Sequence, residues 1–130
     1  MITIRNPKDR PAPEAYHHGV EVSGNNRTLY LAGQIGMLPD GTIPEGIEAQ
    51  TRALYANLKA VLAEAGMDFS NIVKTTIFLT DPKNRPAFSA ARTEATGGIK
   101  SASTLVYISG LFLPELLVEV EAIAVKEVGA

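Results

Sequence analysis

The chain has 130 residues, 45% apolar and 20% charged, with 12 Lys plus Arg against 14 Asp plus Glu and a net charge of -2. That is the length of one domain, with apolar mass enough for a core. The balance leaves no basic excess to hold a phosphate backbone, so nucleic-acid binding has no electrostatic support. The absence of cysteine excludes disulfides, thiolate metal sites and a cysteine nucleophile.

Met1 to Pro7 shows no basic stretch running into an apolar one, and no segment approaches the roughly 18–20 apolar residues that span a bilayer. A soluble cytoplasmic chain without a membrane partner is expected. Asn6 to Pro13 holds three of the eight prolines. Each lacks an amide donor and restrains its predecessor, which predicts an extended or turning arm, with room for a short strand at Ile2–Ile4 before it.

Val20–Val22 and Thr28–Leu31 read as strands, and Gly24-Asn25-Asn26 between them predicts a hairpin turn. Gly33, ahead of Gln34, Ile35 and Gly36, marks a backbone that bends or that something approaches closely. Pro39-Asp40-Gly41 is a turn, since Pro presets φ and Gly accepts a positive one. The clearest helix spans Ile47 to Ala65, with Ile47, Leu54, Leu58, Val61, Leu62 and Ala65 on one face and Gly66 ending it.

Ile72 to Thr80 is long and β-branched, hence a strand. Asp81-Pro82 breaks it, and Asp81 or Asn84 can cap a second helix running to about Thr96, with Pro86 tolerated in its first turn and Gly97-Gly98 at its end. Thr104–Ile108 and Leu116–Val125 are the last two strands, joined by a loop containing Pro114. The order ββ-α-β-α-ββ predicts an α+β fold: a mixed sheet with both helices on one face. The last strand carries Val118, Val120, Ala122 and Ala124 on one side, and Glu119, Glu121, Ile123 and Val125 on the other. A sheet with apolar residues on both faces and helices on one must cover its bare face with another subunit.

No phosphate-binding Gly-rich loop, no Gly-x-Ser-x-Gly elbow and no His-Glu-x-x-His occurs. His17 and His18 are adjacent, and on a strand they face opposite sides, so they do not chelate one metal together. Glu119 and Glu121 share a face of an apolar strand. A carboxylate there either pairs with Lys or Arg, reaches the sheet rim, or serves as an acid–base or water-holding group.

Five blocks then point one way: Leu31–Ile35, Ala49–Arg52, Asn57–Leu62, Ile72–Asp81 and Leu117–Val125. In this order, from about Tyr16 to Val125, the chain resembles the RidA/YjgF family, also called endoribonuclease L-PSP. The resemblance implies a chorismate mutase-like α+β fold and a homotrimer of abutting sheets, with small-molecule ligands in three clefts between subunits. It also implies hydrolysis of reactive enamines and imines such as 2-aminoacrylate to 2-oxoacids and ammonia, without metal or cofactor. By residue, Glu119 matches the glutamate that places the attacking water. Gly33 matches the backbone position near the substrate, and Tyr16 matches the tyrosine that closes the pocket.

The family's Pro-Ala-Arg-Ser/Thr-x-Val entry to the penultimate strand uses its Arg as a fork on the substrate carboxylate. Here Ser101 to Val106 covers that motif, and Ser103 stands at the arginine position. A hydroxyl offers one neutral hydrogen bond where a guanidinium offers a charged pair, a difference of about 1–3 kcal/mol per contact. Lys100 and Arg85 are the cations that could replace it. Arg85 is the better placed, standing where many family members carry an aromatic residue before the second helix. The linker from that helix to Ser101 is also shorter than in deaminating members. The expectation is one inter-subunit cleft lined by Tyr16, Gly33, Ser103 and Glu119, with Arg85 at its mouth. Three functions stay open: a C–N hydrolase with a changed pocket, a ligand-binding trimer without turnover, and the ribonuclease of the older family name, which the charge balance disfavours.

Overall fold

The structure is a computed structural model describing residues 1–130. β1 (Ile2–Arg5) and β2 (Gly19–Val22) pair antiparallel as a two-stranded ribbon. β3 (Asn26–Ile35), β4 (Ile72–Leu79), β5 (Ala102–Tyr107) and β6 (Val118–Glu127) form a second sheet in the order β3-β6-β4-β5. β4 and β5 are parallel and the other pairs antiparallel, so the sheet is mixed as expected. The parallel pair needs a crossover, which α2 (Arg85–Thr96) supplies. α1 (Ile47–Glu64) crosses between β3 and β4.

The expected hairpin between the second and third strands does not form. Gly24 turns the chain at φ 89°, but β2 pairs with β1 while β3 pairs with β6. The cause is burial: Leu31 is buried under α1 together with Ala122 of β6, whereas Val22 is exposed and has no core to join.

Both helices cover one face of the larger sheet. Leu54, Leu58 and Leu62 of α1 and Phe88 of α2 meet Ile77 and Leu79 of β4 and Val118, Val120, Ala122 and Ala124 of β6 in one core. Gly66, at φ 68°, ends α1, with the Met67 N–H donating back to the Leu62 carbonyl at 2.9 Å. Asp81 caps a short 3-10 turn, Pro82–Asn84, that leads into α2.

The buried side of α1 also carries Gln50, only 2% exposed. Its amide donates to the carbonyls of Pro44 (3.1 Å) and Glu115 (2.9 Å) and accepts from the Leu117 N–H at 2.9 Å. These bonds fix the chain where it enters β6, two residues before Glu119.

The opposite face has no helix over it. Tyr30 is 76% exposed there and borders a hollow of about 280 Å³ with Lys74, Thr76, Glu121 and Ile123. Val125, expected on this face, is buried. The β4–β6 register shifts between Ile72 and Lys74, and Met1 and Ile2 of the ribbon border the same hollow as Val125. No helix is long and apolar enough to cross a membrane.

Candidate functional site

Two groups of residues lie on opposite sides of the sheet. The first lines a cavity of about 490 Å³ between α2 and β5, with Tyr16, Arg85, Ser89, Arg92, Ser103 and Tyr107 in its wall. Tyr16 arrives at the end of the proline-containing arm. The His17 N–H donates to the Ser101 carbonyl at 3.0 Å, one parallel bridge that ties the arm to β5. The His18 N–H donates to Asn6 Oδ1 at 2.7 Å, and the Tyr16 ring stands edge-on to the His18 ring at 6.0 Å.

Ser103 pairs across the parallel ladder with Thr75, whose hydroxyl donates to Ser103 Oγ at 2.8 Å. That occupies a lone pair of the serine and leaves its own O–H free to donate into the cavity. Arg85, Ser89 and Arg92 are spaced i, i+4, i+7 on α2, which puts all three on one helix face. Arg85 is exposed. Arg92 is half-buried, its guanidinium carbon 5.4 Å from the centroid of the fully buried Phe88 ring. That cation–π contact orients the side chain. Burial pushes the Tyr55 hydroxyl well above the usual phenol range, and the charge of Arg92 partly opposes the shift.

No acidic residue lines this cavity. The three ion pairs of the chain, Met1–Glu127, Arg5–Glu21 and Arg10–Asp9, all lie elsewhere and leave Arg85 and Arg92 unpaired. Lys100 borders an adjoining recess shared with Ser103 and Arg92. The site is therefore cationic despite the serine.

The second group is Glu119 with Gly33. β3 bulges between Leu31 and Gln34, and Gly33 lies in that bulge. A Cβ on Gly33 would fall 1.9 Å from Glu119 Oε2, so glycine is the residue that leaves the carboxylate its place. Glu119 is half-buried and joins none of the three ion pairs. Gly33→Ala is expected to drive Glu119 to another rotamer. It should cost about 1–3 kcal/mol of stability as an overpacked site, read by denaturant unfolding. An unchanged unfolding midpoint with unchanged ligand binding would contradict it.

The expected single cleft is not assembled within one chain. Ser103 is opposite Thr75, Thr75 opposite Ala122, and Ala122 faces the helices, while Glu119 is opposite Phe78 on the bare side. Strand alternation thus separates Tyr16, Arg85 and Ser103 from Gly33 and Glu119. Reading from sequence also passed over Arg92 and Ser89. The signal was their spacing from Arg85 on a helix whose limits were already predicted.

The sequence pattern of the family described as Endoribonuclease L-PSP matches residues 7–126. A RutC family protein of Aquifex aeolicus is 34% identical over 128 residues, 97% of this chain and 100% of that protein. The 2-iminobutanoate/2-iminopropanoate deaminase of Rattus norvegicus is 40% identical over 80 residues, 60% of this chain and 56% of that one. The crystal structure of YyfB from Yersinia pestis, of the conserved Rid protein family, superimposes with a TM-score of 0.82 at 32% identity, covering 95% of this chain and 97% of that one.

Proposed function

This chain belongs to the endoribonuclease L-PSP family, also called RidA/YjgF, and on that premise we propose that it is a homotrimeric C–N hydrolase of reactive 2-imino and enamino acids, with Glu119 delivering water at a cleft between copies. One observation carries the reading. A carboxylate without a cationic partner and a cationic cavity without a carboxylate lie on opposite sides of one sheet. β5 is the sheet's edge strand, so a neighbour presenting its bare face to that edge would bring its Glu119 to the cavity. The similarity to the rat imine deaminase supports the same chemistry.

In this mechanism the substrate's carboxylate is held by Ser103 and Arg92, with Arg85 at the cavity's rim. Glu119 of the neighbouring copy accepts a proton from water as the oxygen bonds to the imine carbon. The adduct's nitrogen takes that proton to give the carbinolamine. Glu119 then relays the hydroxyl proton to the same nitrogen as the oxygen's electron pair forms the carbonyl and the C–N bond breaks, and a 2-oxoacid and ammonia leave. No redox partner is consumed. A second reading, a ligand-binding trimer without turnover, draws on Ser103, which lacks the guanidinium fork of deaminating members.

The test is ammonia release from imines made in situ by an amino-acid oxidase. The wild type should outpace buffer alone. With 2-aminoacrylate it should run at least about tenfold slower than Arg-bearing relatives, and Ser103→Arg should regain part of the difference. No acceleration by wild type or by Ser103→Arg on any imine would leave the ligand-binding reading in its place.

A further inference from the structure

Arg85 and Arg92 face one cavity and neither is neutralised by this chain. Two guanidinium groups in a shared cavity repel one another and lose hydration as a ligand fills the space. A monoanion offsets one of them; a dianion offsets both. Their seven-residue separation spans about 10 Å along α2, and the long flexible arginine stem lets each fork swing several ångströms toward the other. The two forks can therefore close on the ends of a molecule whose carboxylates stand roughly 5 Å apart, the span of a five-carbon diacid. The volume of about 490 Å³ accommodates such a ligand.

The two arginines are not equivalent. Arg92 is half-buried, rests on Phe88, and shares both the main cavity and the inner recess with Ser103. Arg85 is exposed, opens the helix at the cavity's rim and is absent from the recess. Glu14 lines an outer groove with Arg92 and Lys100 and forms no ion pair with either.

We propose that the cavity selects 2-oxo and 2-imino acids bearing a second carboxylate, with Arg92 and Ser103 holding the carboxylate beside the reacting carbon and Arg85 holding the distal one. This rests on the reading of the cavity as the seat of the substrate's acid end. It assigns to α2 the anion recognition that the β5 motif no longer supplies.

Calorimetric titration of the assembled protein tests it with two stable product-like probes of equal carbon count, 2-oxoglutarate and 2-oxopentanoate. The diacid should bind at least about tenfold more tightly, the worth of one charged contact. Arg85→Ala should bring the ratio to within about twofold of unity. Arg92→Gln should weaken both probes at least about tenfold, and Arg92→Lys, which keeps the charge and a stem over Phe88, should weaken them less. Inorganic phosphate should bind more weakly than the diacid. Equal affinity for the two probes, a preference that survives Arg85→Ala, phosphate binding as tightly as the diacid, or no binding of either probe would each overturn the proposal. Binding is read without turnover. A wild type that binds diacids but releases no ammonia would defeat the hydrolase reading alone, and one that turns over imines without preferring diacids would defeat this one alone.

Discussion

Val120→Lys is expected to give no folded protein, whereas Ile123→Lys, three positions along the same strand, is expected to give a folded monomer. Val120 is completely buried and packs among Leu54, Leu58 and Ile77 beneath the helices. An ammonium there has no partner, and such a buried charge costs about 3–5 kcal/mol or more, a large part of the stability of a domain this size. Ile123 faces the other way, beside Tyr30 and Lys74 on the side no helix covers. A lysine there reaches water in the isolated chain and meets like charge or apolar surface only when copies abut. Light scattering should give about three times 13.9 kDa for the wild type and one chain mass for Ile123→Lys, with its thermal unfolding still cooperative. A wild type that is monomeric at micromolar concentration would contradict the expectation.

Glu119→Gln is expected to lower ammonia release by about 100-fold or more, within the range for removing a positioned acid–base group. Gln keeps the shape that fits against Gly33 and loses only the capacity to take the proton of the attacking water. The loss should therefore appear in kcat with little change in KM, and the unfolding midpoint should stay within a few degrees of wild type. A variant that retains most of its turnover would remove Glu119 from the chemistry.

The fold was legible where periodicity and breakers agree. The run from Ile47 to Gly66 and the β-branched run from Ile72 onward carry their own limits, and the structure follows them within a residue. The partner of β2 was not legible. Gly24-Asn25-Asn26 announces a turn but says nothing of which strand edge is free, and the competition for β3 is won by β6 through the shared core under α1.

The candidate site was legible one residue at a time and not as a constellation. Gly33 and Glu119 do meet, because a bulge in β3 turns the missing Cβ toward the carboxylate. Ser103 and Glu119 do not, because the pleat sends them to opposite faces, a fact that requires the β4–β5–β6 register. Arg92 carried its i+7 spacing from Arg85, but a charged residue on a surface helix looks like solvated exterior until the arm bearing Tyr16 is seen to bridge to β5 beside it. Gln50 was hidden likewise, its polarity absorbed by loop backbone 65 and 67 residues away.

The central claim is that a working site takes its anion anchor from one copy and Glu119 from the next. The most direct measurement mixes two variants, Glu119→Gln and Arg92→Gln, each expected to be nearly inactive alone. Unfolded together and refolded in equal amounts, they should form a random population in which each mixed trimer has one cleft with both an intact anchor and an intact carboxylate, about a quarter of all clefts, returning activity toward that fraction of wild type. Mixed trimers shown by mass to hold both chains, yet no more active than the separate variants, would contradict it.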